Sequence, residues 1–369
     1  MRTRIIYFAA IFQTILLIFH GFVYETWIDF ERSSGAGRIP HLGTIFFLLS
    51  LTFVTASLLA WRFPQWPARL YYRAAAVWLA FFNYFFLAAG LCWILYFAER
   101  ALPVSWSPQR IASWTFAIAL LVGVYGLLNA SLVRTRRVSV KLSNLPARWR
   151  GRVAALVSDT HLGHVRGLGF ARRVTAKISR HNPDLVLIAG DFYDGTVCDF
   201  RKLAEPLALL KPPQGAYFIA GNHEQFGDDA KYLEAVSAAG VRVLQNEKVT
   251  LDGLQLVGVH FRDAARADRL RAILQNARID AGTASILLTH APDQLAVAAE
   301  AGISLQVNGH THGGQFFPWT IFTKRIYGAF VYGLQRLGNM QVYTSYGAGT
   351  WGPPVRVATT PEIVLIALE

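Results

Sequence analysis

His310 and His312 stand two residues apart in Gly309-His310-Thr311-His312-Gly313-Gly314-Gln315, a spacing that can turn two imidazoles toward one point. Neutral imidazole is the commonest protein metal ligand. The flanking glycines let the backbone turn sharply and approach a bound group closely. The stretch follows an apolar run, Ile303 to Val307, that reads as a strand. Four more polar clusters end strand-like runs. Val153 to Val157 leads into Ser158-Asp159-Thr160-His161, and Leu185 to Ala189 into Gly190-Asp191. Tyr217 to Ala220 leads into Gly221-Asn222-His223-Glu224, and Ile286 to Leu288 into Thr289-His290. Ligands of open α/β sheets bind outside the carboxyl ends of strands, so these clusters describe one site.

Asp159, His161, Asp191, Asn222, His290, His310 and His312 offer N and O donors and no thiolate. A zinc site takes about three or four protein ligands, so this set suits two divalent ions sharing a carboxylate. Mixed imidazole and carboxylate donors favour Mn, Fe, Zn or Co, with Mn placed first. Two ions about 3.5–4 Å apart clamp the attacking and leaving oxygens of a phosphoryl displacement and make hydroxide available near neutral pH. His223 follows the amide ligand Asn222 and is expected beside the ions as general acid for the leaving alkoxide. Glu224 is a weaker candidate to orient its ring.

The elements that must position these groups begin at Val153. Strands are expected at Val153–Val157, Leu185–Ala189, Tyr217–Ala220, Val241–Leu244, Leu254–Val259, Ser285–Leu288, Ile303–Val307, Gln341–Ser345 and Ile363–Leu368. Helices are expected at Leu168–His181, Phe200–Leu210, Asp229–Ala239, Ala264–Asn276 and Asp293–Glu300. Pro183 and Gly240 sit just past two of them, as helix stops should. The first half reads as β-α-β repeats and the second is strand-rich, so two sheets packed face to face with outer helices would bury both apolar sets.

The N-terminal part is different in kind. The chain is 53% hydrophobic and 16% charged, with mean hydropathy +0.31, too apolar for an ordinary soluble enzyme of 369 residues. Residues 1–133 hold four apolar runs, about Ile5 to Tyr24, Leu42 to Trp61, Ala74 to Phe97 and Ile111 to Val133. Each is long enough to cross about 30 Å of hydrocarbon as a helix. Gln13, His20 and Asn83 are polar exceptions within them; Gln13 and Asn83 read as interhelical bonding groups, and His20 as near a span end. Arg2, Arg4, Arg62, Arg69, Arg73 and the basic segment 134–152 put both chain ends on the positive, cytoplasmic side of an inner (plasma) membrane. Segment 134–152 is read as a basic linker and 153–369 as the catalytic domain. The net charge of +13 is assigned to anionic lipid, and no nucleic-acid partner is expected. Cys92 and Cys198 lie in these two different parts and are not expected to pair.

Asp-x-His, Gly-Asp, Gly-Asn-His-Glu, Thr-His and Gly-His-x-His, in that order, resemble the calcineurin-like metallophosphoesterase superfamily over about residues 150–369. Gly313-Gly314-Gln315, and Ser345 to Gly352 with Pro354-x-Arg356, resemble its bacterial membrane-associated branch with N-terminal transmembrane helices. The resemblance implies a four-layer α/β/β/α sandwich behind the four-helix transmembrane domain. It implies that Asp159, His161 and His312 hold one metal, that Asn222, His290 and His310 hold the other, and that Asp191 bridges. The family acts on phosphomonoesters, diesters and pyrophosphates, so substrate must be read elsewhere. Phe316, Phe317 and Trp319 follow the His-x-His loop, and His164 and Arg166 follow Asp159-Thr160-His161. These are the candidate contacts for a lipid or lipid-linked phosphate. The alternatives are a membrane-tethered enzyme acting on soluble substrates, and a non-enzymatic interaction protein whose metal domain is structural.

Overall fold

A computed structural model describes residues 2–31, 39–101, 105–226 and 229–369. The chain divides into two compact units, Met1–Leu128 with Gly352–Val355, and Asn129–Trp351 with Arg356–Glu369.

The first unit contains α1 (Arg2–Glu31), α2 (Leu42–Ala60), α3 (Trp66–Glu99) and most of α4 (Pro108–Ser131). Among the described residues these four helices are long and apolar enough to cross a membrane. With no water to satisfy a backbone inside hydrocarbon, a helix is the form such runs must take. α1 continues past Tyr24 to Glu31, so His20 lies well inside the helix rather than near its end. It is buried, its Nδ1 donating to the Leu16 carbonyl at 2.7 Å and its Nε2 accepting from Trp78 Nε1 at 3.0 Å, with Phe82 stacked on the ring. Gln13 Nε2 likewise donates across to the Ser50 carbonyl at 3.1 Å. Both groups are satisfied within the bundle.

The second unit opens with β1 (Arg134–Val140), then β2 (Val153–Val157), α5 (Leu168–Ser179), β3 (Leu185–Ile188), α6 (Phe200–Ala204), β4 (Ala216–Phe218), α7 (Asp229–Ala238) and β5 (Arg242–Val243). It continues with β6 (Glu247–Leu251), β7 (Leu254–Gly258), α8 (Phe261–Ala264), α9 (Ala267–Asn276), β8 (Ser285–Leu288), α10 (Leu295–Glu300) and β9 (Leu305–Asn308). It closes with α11 (Trp319–Tyr327), β10 (Gly333–Leu337), β11 (Met340–Thr344) and β12 (Glu362–Leu368). One sheet has the order β1-β12-β2-β3-β4-β5 and the other β10-β11-β9-β8-β7-β6. Within the central strands β2, β3 and β4 pair in parallel, as do β7, β8, β9 and β11.

Parallel strands covered on both faces should be apolar at every position, and side chains two apart should share a face. Both hold. Ala155 and Val157 of β2 pack toward the layer of α5, α6 and α7, while Ala154 and Leu156 face the opposite sheet. Ile286 and Leu288 of β8 meet that same inter-sheet core, while Leu287 packs with Leu270 and Leu274 of α9 and Val297 of α10. The result is the four-layer α/β/β/α sandwich.

Segment 134–152 differs from the linker reading. Residues Arg134–Val140 form an edge strand parallel to β12, and Trp149 is fully buried in the inter-sheet core. An edge strand keeps one face wet, which is why its arginines are tolerated and why it lacks an apolar signature. The catalytic unit therefore begins near Asn129, in the last turn of α4, rather than at Val153.

Candidate metal centre

Each candidate ligand follows the carboxyl end of a strand. Asp159 and His161 come after β2, Asp191 after β3, Asn222 after β4, His290 after β8, and His310 and His312 after β9. Asp159, His161, Asp191, His310 and His312 all adopt left-handed backbone conformations, with φ from 46° to 69°. Such conformations cost roughly 1–3 kcal/mol each in a non-glycine residue. Burying a Val, Leu or Ile returns about 1.5–3 kcal/mol, so a few core side chains offset the strain. Gly309 and Gly221 allow the loops to close: a Cβ at Gly309 would overlap the Asp159 carboxylate, and one at Gly221 the Asp191 carboxylate.

The side chains converge. His161 Nε2 and His312 Nε2 lie 2.9 Å apart, and His312 Nε2 is 3.4 Å from Asp159 Oδ1. His290 Nε2 is 3.0 Å from Asn222 Oδ1, 3.1 Å from His310 Nδ1 and 3.2 Å from Asp191 Oδ2. Asp191 Oδ2 is also 3.8 Å from His161 Nε2, so one carboxylate faces both halves. Asp159, His161 and His312 form one group whose ligand atoms lie within 4.8 Å of one another, and Asp191, His290 and His310 form another. Imidazole nitrogens, carboxylates and an amide oxygen crowd together. The buried Nδ1 of His161 has no hydrogen-bond partner in the protein. Divalent cations fit this donor set.

Two comparisons bear on this geometry. The calcineurin-like phosphoesterase family matches residues 153–314, which include every ligand above. A zebrafish (Danio rerio) protein named "Transmembrane protein with metallophosphoesterase domain" is 31% identical over 92% of this chain and 84% of its own length. The chain belongs to the calcineurin-like metallophosphoesterases. A metallophosphoesterase of Aquifex aeolicus is 31% identical over 68% of this chain and 98% of its own length. One from Helicobacter pylori is 31% identical over 58% of this chain and 58% of its own length. Family membership makes the protein a metal-dependent phosphoric ester hydrolase.

The electrostatics of the metallophosphoesterase site follow from burial and charge. Burial disfavours a charged His290, but Asp191 and Asp159 and the Ala189 carbonyl outweigh it and raise its pKa to about 10. Asp191 is lowered in turn: burial opposes its charge, and His290, His223 and His161 overcome that. Burial and the His290 charge lower His310 to about 3, and burial and neighbouring positive charge lower His161 and His312. Burial raises Asp159.

His223 stands at the edge of this cluster, its Nε2 3.9 Å from Asp191 Oδ2. Its backbone N–H donates to Asp191 Oδ1 at 2.8 Å, and its Nδ1 donates to the Asp194 carbonyl at 2.9 Å. A carbonyl only accepts, so Nδ1 carries a proton and Nε2 is the atom turned to the centre. Glu224 serves the backbone. Its fully buried carboxylate accepts from the backbone N–H groups of Asp191 (2.9 Å), Tyr193 (3.1 Å) and Gly221 (2.7 Å), tying the β3 and β4 loops together. Asp194 is the ring's orienter through its backbone, and its own buried carboxylate accepts from the N–H groups of Thr196 and His164.

The expected substrate contacts divide. His164 is fully buried with Nδ1 2.9 Å from Thr196 Oγ1, and Arg166 donates to the Ala130 carbonyl and lies over the Phe170 ring. Phe316 is buried, whereas Phe317 and Trp319 are exposed.

Arg356, which sequence reading left without a role, is fully buried behind His312. Its guanidinium donates to the carbonyls of His312 (2.9 Å), Tyr346 (2.7 Å) and Gly349 (2.6 Å) and to His312 Nδ1 (2.9 Å). Asn129 Nδ2 donates to the Arg356 and Thr359 carbonyls, both at 2.9 Å. The hints in the sequence are the Pro354-x-Arg356 resemblance and an arginine in a Gly- and Pro-rich segment. That composition marks a loop but not what the loop wraps.

Proposed function

We propose that this metallophosphoesterase hydrolyses a phosphate ester or pyrophosphate bond of a lipid or lipid-linked substrate at a membrane surface. The observation that carries the reading is the convergence of seven donor residues, Asp191 among them, on one centre, with His223 Nε2 turned toward the same point. Asp159, His161, His312 and Asp191 would hold one ion, and Asn222, His290, His310 and Asp191 the other. Bound ions would supply an activated water and neutralise charge on the phosphate. His223, held through Nδ1 by the Asp194 carbonyl, moves a proton at Nε2 to the departing oxygen.

Two features support an amphiphilic substrate. The chain carries four helices of membrane-crossing length and composition. Trp351 is 59% exposed with its ring 5.7 Å from that of His223, an apolar surface beside the acid. The distribution of arginines at the span ends supports a catalytic unit on the cytoplasmic side of the inner membrane.

The test is purified full-length protein with Mn²⁺, assayed on a membrane lipid extract by phosphate release and mass spectrometry, beside a soluble chromogenic phosphodiester. Hydrolysis of a lipid species, lost in His223→Ala, is expected. Turnover of the soluble diester alone would overturn the lipid reading. Absence of both activities in metal-loaded protein would overturn the hydrolytic one.

A further inference from the structure

α11 is an amphipathic helix that the metal site does not use. None of its nine residues is buried. Trp319, Phe322 and Ile326 recur at i, i+3 and i+7, one stripe of a helix, and are 51%, 50% and 74% exposed. Exposed large apolar side chains grouped in this way mark an interaction surface. Lys324 and Arg325 lie in the last turn and are also exposed. From residue 301 to residue 361 the chain contains no Asp or Glu, so no carboxylate in that stretch offsets them.

The helix is fastened to the metal loop at both ends. At its start, Gly314 lies so close to the backbone of Trp319 and Thr320 that a side chain there would clash. Past its end, Thr311 Oγ1 donates to the Val331 carbonyl at 2.8 Å. Tyr327 turns inward, its ring 6.2 Å from that of His310. Tyr327 thus faces the metal centre and the Trp319–Phe322–Ile326 stripe faces out.

We propose that α11 lies in the headgroup region of an anionic bilayer, with Trp319, Phe322 and Ile326 in the acyl boundary and Lys324 and Arg325 on anionic headgroups. Aromatic and aliphatic residues on one face with basic residues beside them are the signature of an interfacial helix. Within residues 301–361 the formally charged side chains are all basic, which complements a negative surface. A chain with four membrane-crossing helices also keeps that surface within reach. The consequence, that an amphiphilic phosphate reaches His310 and His223 without leaving the lipid, rests on the function proposed above. The membrane contact itself does not.

The test uses the full chain in nanodiscs containing phosphatidylglycerol, with Cys92→Ser and Cys198→Ser and single spin labels introduced by Phe322→Cys, Ile326→Cys or Lys324→Cys. Collision with oxygen is compared with collision with a water-soluble nickel chelate. The oxygen-to-nickel ratio is expected to be roughly threefold or more higher at 322 and 326 than at 324, as for a helix lying in the interface. Equal, nickel-dominated ratios would mean a solvated helix and overturn the proposal. Protection from both reagents would mean a protein cover, and spin broadening that vanishes on dilution with unlabelled chain would mean a second copy. Either overturns it too. A benzophenone amino acid at 322 or 326 in the native-cysteine chain repeats the test: lipid adducts support the proposal and protein adducts alone refute it. Neither readout uses catalysis, so an inactive protein leaves this test intact.

Discussion

His290 and His312 both present Nε2 to the metal centre, yet their outer nitrogens meet opposite partners. His290 Nδ1 donates to the Ala189 carbonyl at 2.7 Å, the arrangement that fixes a ligand ring in its metal-binding tautomer. His312 Nδ1 instead faces the Arg356 guanidinium at 2.9 Å, a group that can only donate. One half is pre-organised by a neutral acceptor. The other is backed by a buried cation whose nearest described partners are carbonyls rather than a carboxylate. Burial lowers even this arginine to about 10. The two halves share donor chemistry but not supporting chemistry, and their ions should bind unequally.

The largest expected effect erases the comparison. Asp191→Asn should cost both ions together, lowering affinity by more than about a hundredfold at each position. Elemental analysis after dialysis checks it, and one ion retained at full occupancy would refute the shared carboxylate. His223→Ala should instead keep both ions and lower turnover by about 10²–10⁴-fold. The loss should shrink for a substrate whose leaving group needs no proton, compared in kcat on an alkyl and a nitrophenyl ester.

Arg356→Lys separates the halves. It keeps a charge but loses the fork that serves three carbonyls, each worth about 1–3 kcal/mol when buried without a partner. The ion held by Asp159, His161 and His312 should weaken about tenfold, with the other unchanged. A two-step manganese titration followed by electron paramagnetic resonance reads both, and equal weakening would remove the distinction. The smallest effect is in protons. His290 keeps its proton up to about 10 in the metal-free centre, so an ion binding there at neutral pH must displace it. Affinity at that half should rise up to about tenfold per pH unit, releasing about one proton. His161 and His312 are lowered and already neutral, so their half should be nearly flat above neutrality. Calorimetry in two buffers of different ionisation enthalpy measures the difference.

The candidate donors are legible because each stands just past a strand whose apolar run announces itself, and because metal chemistry restricts the residue types. β2, β3, β8 and β12 were equally plain. β1, β6, β10 and α11 were not. β1 carries Arg134, Arg136 and Arg137 on an edge, and β6 and β10 are largely half-buried, so none shows a clean alternation. α11 is absent from the expected helices, since its apolar stripe faces outward rather than into a core. His164, a candidate substrate contact by sequence, is fully buried, its Nδ1 beside Thr196 Oγ1 from a segment some thirty residues on.

From its order of residues alone, this chain specified four N-terminal helices long and apolar enough to cross a membrane, a two-sheet sandwich and a cluster of donor atoms suited to divalent metal. Those are properties of runs and residue types, which local periodicity carries. Folding decided the supporting shell: Asp194 on His223, Glu224 between two loops, Ala189 behind His290 and Arg356 behind His312. These partners are backbone carbonyls and amides brought from distant segments, or side chains that meet them. Every residue has such backbone groups, so only the packing of the two sheets chooses which of them a buried ring will meet.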